Sequence, residues 1–149
     1  MGIKTATPLA ALHVTGDTFF GGNVREKVTI SATASTGTIN FDAITQAVLY
    51  FTTNASGNFT INVRGDGSTT LNSIMATGDA LTIAFLSTQG SSAYYMSAFT
   101  VDGSSVTPKY QGGSAFSAGN ASGIDSYAIT VIKTGDAAFT ALAAQTQFG

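Results

Sequence analysis

The stretch AVLYFTTNASGNFTINVR, residues 47–64, decides the fold class. Its second half alternates strictly, with Phe59, Ile61 and Val63 on one side and Thr60, Asn62 and Arg64 on the other. A strand points successive side chains to opposite faces, so this period of two predicts a β-strand with one face buried. Residues 47–52 are apolar on both sides, which predicts a centrally placed strand. The cluster at 54–57 collects turn formers and predicts a hairpin joining the two.

The same texture extends both ways. Val28, Ile30 and Ala32 alternate with Thr29, Ser31 and Thr33, and Ile39 with Phe41 begins another strand. After Val63 the chain is irregular through LNSIMATGD, then resumes as strands over 81–86 and 95–101. Asp102-Gly103 supplies the positive φ of a type I′ turn leading into residues 105–107, and Pro108 ends pairing or marks an edge. A Gly/Ser/Ala loop spans 111–123 around Phe116, followed by strands over 127–132 and 138–142, with Phe148 closing the domain. No segment keeps apolar residues at helical spacing over three turns, so little helix is expected. The expectation is an all-β, antiparallel β-sandwich of jelly-roll type spanning residues 25–149. Its core would be Val28, Ile30, Phe41, Leu49, Phe51, Phe59, Ile61, Ile83, Phe85, Phe99, Val101, Ile129 and Val131. Residues 1–24 read as an extended N-terminal arm or small hairpin that attaches the head to a neighbour. Its apolar Leu9, Leu12, Val14, Phe19 and Phe20 are the expected anchoring residues, too greasy for a free tail.

Charge is scarce. Asp, Glu, Lys and Arg make up 9% of the chain, against ~25% in a typical globular domain. Mean hydropathy is positive, +0.24. Spread over the ~7,000 Å² surface of a compact monomer of this mass, the charges would stand about one per 500 Å². Such a surface suits burial against other subunits, and a homotrimer is expected because cyclic symmetry closes contacts without making fibres. A net charge of −2 supplies no basic patch for nucleic acid. The chain contains no cysteine. The opening MGIKTATPLA has neither the basic nor the apolar region of a secretory leader, and no stretch is long enough for membrane insertion. Synthesis in a host cytoplasm is therefore expected.

Catalysis fails on inventory. The single histidine, His13, lies between Leu12 and Val14 with no nucleophile or carboxylate beside it in sequence. The eight carboxylates are scattered singly, mostly beside glycine, as turn residues are. That pattern gives no metal cluster and no reason to invoke a cofactor, and the missing Trp removes the stacking platform of most glycan hydrolases. No enzyme is expected. Arg64-Gly65-Asp66 spells an integrin-type motif, but a strand ending in a turn reads the same. Thr-Gly-Asp at residues 15, 77 and 134 is too irregularly spaced for a repeat. Tyr94, Tyr95 and Tyr110, near Gly-rich loops, are candidate contacts to glycan or to a sister subunit.

The segment TVDGSSVTPKYQGG (100–113), followed by IDSYAITVIKTGDAAFTALAAQTQF (124–148), resembles the C-terminal part of small virion structural and tail-fibre-like proteins of marine tailed phages. PLAALHVTGDTFFGGNV (8–24) resembles the Thr/Gly-punctuated repeats at the base of phage fibres. The resemblance implies a trimeric β-sandwich head without catalytic residues. It further implies a place on the virion exterior, with partners such as the major capsid protein or a tail or fibre component. Heptads, Gly-X-Y repeats and a long shaft are all missing, which favours a capsid decoration (cement) or head-fibre protein. The alternative is a receptor-binding tail-fibre module that holds host surface glycan.

Overall fold

The computed structural model describes residues 2–3, 6 and 12–149, and these are mostly strand. Two short strands, β1 (Gly2–Ile3) and β2 (His13–Val14), pair with each other in parallel and with nothing else among the described residues. The head begins with β3 (Val28–Ala34), β4 (Gly37–Asp42), β5 (Val48–Thr53) and β6 (Phe59–Arg64). A single helical turn, α1 (Leu71–Ile74), precedes β7 (Ala80–Thr88) and β8 (Met96–Val101). The chain ends with β9 (Ser104–Ser105), β10 (Lys109–Tyr110), a 3₁₀ turn at Gln111–Gly113, β11 (Ile124–Gly135) and β12 (Ala138–Phe148).

These strands form one six-stranded sheet, β10-β12-β11-β7-β5-β3, and one four-stranded sheet, β4-β6-β8-β9. From β3 to β8 the chain changes sheet at every strand. Each returning strand therefore lies parallel to its neighbour: β3 to β5, β5 to β7, β4 to β6 and β6 to β8. The all-antiparallel jelly-roll expectation is thereby corrected to two mixed sheets wound as successive two-strand coils. Only the C-terminal part pairs antiparallel, through β7-β11, β11-β12 and β8-β9.

The turn at 54–57 shows why. It is an arch between sheets and not a hairpin within one. The inward residues Leu49 and Phe51 of β5 and Phe59 and Ile61 of β6 need the same core, and placing the strands opposite each other buries all four. The arch is held on both flanks, by the Ala55 N–H donating to the Thr88 carbonyl (2.8 Å) and the Ser56 N–H to the Ser35 carbonyl (3.1 Å). At Asp102-Gly103 the expected hairpin is present, with φ of 51° and 79°.

Phe59 ties the layers together. Its ring lies 5.3 Å from Phe85 and meets Tyr127 edge-on at 5.7 Å, so a four-stranded-sheet residue packs on two from the opposite sheet. Around it pack Ile39, Phe41, Ile61, Val63, Phe99 and Val101 from one side and Leu49, Ile83, Ile129, Val131, Ala141 and Ala143 from the other. Leu71 and Met75, from the stretch with no legible period, seal one end of this core.

Val28 and Ile30 are corrected out of the core. They are 42% and 67% exposed, while Thr29 and Ser31 turn inward. Alternation establishes that a strand has two unlike faces, and pairing decides which of them meets the core. Val28 and Ile30 stand in register with Val48 and Tyr50, on the face opposite buried Leu49 and Phe51.

Candidate functional site

Several of the charged groups in the head are occupied with local structure. Arg64 donates from Nε to Asp42 Oδ1 at 2.6 Å across β4 and β6. Asp66 accepts the Ser68 and Thr69 N–H groups, both at 2.7 Å, and these bonds, the Ser68 bond foremost, lower its pKa. The Arg-Gly-Asp tripeptide is thus a strand end followed by a side-chain-closed turn. Asp102 accepts the Leu71 and Asn72 N–H groups (2.7 and 2.9 Å) at the start of α1. Buried Lys133 donates from Nζ to the Asn72 and Met75 carbonyls at 2.5 and 2.8 Å, satisfying the end of the same turn. Asp125, fully buried, has its carboxyl pKa raised by burial, against the opposing Asn120 N–H bond. Among the described residues no three His, Cys, Asp or Glu side chains come together to hold a metal ion.

What distinguishes the molecule is the contrast between its two outer sheet faces. On the four-stranded sheet the outward residues form polar ladders. Thr100 donates to Asn62 (2.7 Å), Asn62 to Asn40 (2.8 Å), and the Arg64–Asp42 pair continues the row. The outward face of the six-stranded sheet is the opposite. One row across it reads Ile30, Tyr50, Leu86, Ser126, Thr146, and the next reads Val28, Val48, Ala84, Ala128, Ala144. Thr82, Thr130 and Leu142 make a third. None of these residues is charged; the first charge met is Lys109, on the rim strand β10 beside Leu142. A groove of about 460 Å³ runs there, lined by Lys109, Tyr110, Ala128, Thr130, Leu142 and Ala144.

Four of the five expected anchoring residues lie among the described residues. Leu12, Phe19 and Phe20 are exposed, Phe19 at 92%, and Val14 is half-buried. Leu9 lies outside the described residues. The three tyrosines do not form one open platform. Tyr110 is half-buried, its ring edge-on to Phe116 at 4.9 Å, and Phe116 packs in turn on Tyr127 at 5.5 Å. Burial raises the Tyr110 phenol's pKa. Tyr94 and Tyr95 are half-buried in the segment before β8, where their N–H groups donate to the Gln89 and Asn58 side chains. A separate cleft of about 640 Å³ opens at the end of the sandwich, lined by Asn54, Gln89, Ser91, Ser122 and Phe148 among others.

The six-stranded outer face escaped the sequence reading because Val28 and Ile30, on its edge strand, read as core. The signal was present in β3, where Val28, Ile30 and Ala32 share one face of a strand that lies at the sheet edge. Comparison with protein-family models, with curated proteins and with solved structures finds no match to this chain.

Proposed function

We propose that this chain is a non-enzymatic structural protein of a tailed-phage virion, carried on the particle exterior as a capsid decoration or head-fibre protein. It acts by assembling with copies of itself and with other virion proteins, anchored through the N-terminal arm. One observation carries the assembly part of this reading: a sheet face whose one charged residue, Lys109, stands on the rim strand, on a chain whose other sheet face bears the Arg64–Asp42 pair and the Asn40–Asn62–Thr100 ladder. The exposed Phe19 and Phe20 support the arm as a second contact. The kind of assembly rests on the resemblance of residues 100–113 and 124–148 to phage virion proteins.

The experiment is gold-labelled antibody against the purified protein, applied to intact phage particles from the source of the gene. Label on the capsid surface is the expected result. Particles that carry the protein on the tail tip would favour the receptor-binding alternative, and particles without it would refute both. One feature favours that alternative: the end cleft presents amide and hydroxyl groups beside Phe148, the chemistry that holds a sugar.

A further inference from the structure

We infer that the outer face of the six-stranded sheet is the surface on which a second copy of this chain docks, with the same face of its own six-stranded sheet. The inference deepens the self-assembly reading above and rests on it.

Three observations select this occupant. The first is size. Six strands about 4.8 Å apart, averaging about eight residues at ~3.3 Å each, present roughly 750 Å², close to the ~800 Å² per partner of a stable interface. The second is electrostatic. Charged only at its rim, by Lys109 on β10, the face offers a charged partner almost nothing to pair with, yet its uncharged centre meets its own copy without repulsion or stranded ions. Docking it instead on the outer four-stranded sheet would bury the Arg64–Asp42 pair and the Asn40–Asn62–Thr100 ladder against apolar groups. The third is relief. The alanines at 84, 128 and 144 make a trough, flanked by Leu142 on one side and by Leu86 on the other. Two such surfaces related by a two-fold axis can set ridge into trough, as packed sheets do at ~10 Å separation. The result is a closed pair, in place of the three-fold ring expected from the sequence.

The test is the mass of the full chain in solution by light scattering from ~1 to 100 µM, for the parent and three variants. Ala128→Lys and Thr146→Glu place charge on the proposed face, and Thr60→Lys places it on the outer four-stranded face. The parent should weigh twice 15.1 kDa, or an even multiple of it. Ala128→Lys and Thr146→Glu should weaken association at least 100-fold with unchanged circular dichroism, and Thr60→Lys should leave it intact. Thr146 is exposed near a strand end, so its variant reports even where the lysine prevents folding. An oligomer indifferent to both face variants, or a trimer, overturns the proposed contact while leaving self-assembly standing. A parent that stays monomeric at 100 µM overturns both.

Discussion

Ile30 and Ile61 stand at equivalent positions in two alternating strands, and the structure gives them opposite surroundings. Ile61 is 0% exposed between the sheets, whereas Ile30 is 67% exposed on the outer face. Truncation to alanine removes three carbons in each case. At ~0.8 kcal/mol per buried methylene, the transfer loss at Ile61 is about 2.4 kcal/mol. The cavity left in a packed interior raises this to ~3–4 kcal/mol. Ile30 has about a third of its surface covered, so the same arithmetic gives about 0.8 kcal/mol and no cavity. Urea unfolding followed by circular dichroism would measure both, first at the lowest workable protein concentration, where the monomer dominates. The Ile30→Ala deficit should then grow with concentration, because association stabilises the folded state by mass action. Equal costs for the two substitutions in dilute solution would refute the orientation of β3 and, with it, the identity of the outer face.

Three further outcomes are expected. Tyr127→Phe removes the hydroxyl that accepts the buried Met96 N–H at 3.3 Å, and should cost about 1–3 kcal/mol in the same assay; an unchanged midpoint would show that water or another group serves that donor. Gly119→Ala would drive a Cβ against the Tyr94 carbonyl and to 2.6 Å from Asp125 Oδ2, with a destabilisation of ~1–3 kcal/mol and altered exchange of the 117–120 amides. Asp125 is raised above its unfolded pKa by burial. Its neutral form therefore favours folding below ~pH 4, and that contribution is lost as pH rises through the raised folded value. Asp125→Asn should abolish this part of the pH dependence, and parallel stability–pH curves for parent and variant would count against it.

The strands were legible where one face is apolar and the other polar, as in Phe59-Thr60-Ile61-Asn62-Val63, because a period of two survives any pairing. Which strand pairs with which was not legible. The residues at 54–57 break a strand in either topology, and only the demand that Leu49 and Ile61 share one core selects the arch. The phase of β3 was lost for a related reason: buried Ser35 and Ser87, hydrogen-bonded at 2.8 Å, give that end of the interior a polar lining, so Thr29 and Ser31 can face in. Alanine-rich β12 carries too little contrast to show that Ala141 and Ala143 are core. As to the site, scarcity of charge pointed to a surface suited to self-association, but composition has no direction. The contrast between the two outer faces appears only once register aligns the strands.

The winding of β3 to β8 has a consequence for how the chain reaches this state. Ile39 pairs with Ile61, and Ile61 with Phe99, so each parallel contact must close a long loop before any ladder bond forms. The β11-β12 ladder, by contrast, closes across residues 136–137. It is the cheapest structure to nucleate, and β7 docks on it directly. That nucleus leaves the ribosome after β3 to β8. The N-terminal coils therefore emerge with Leu49, Phe51, Phe59 and Ile61 unpaired and wait for the C-terminal hairpin as a template. Nascent chains truncated before residue 124 should accordingly engage chaperones or aggregate.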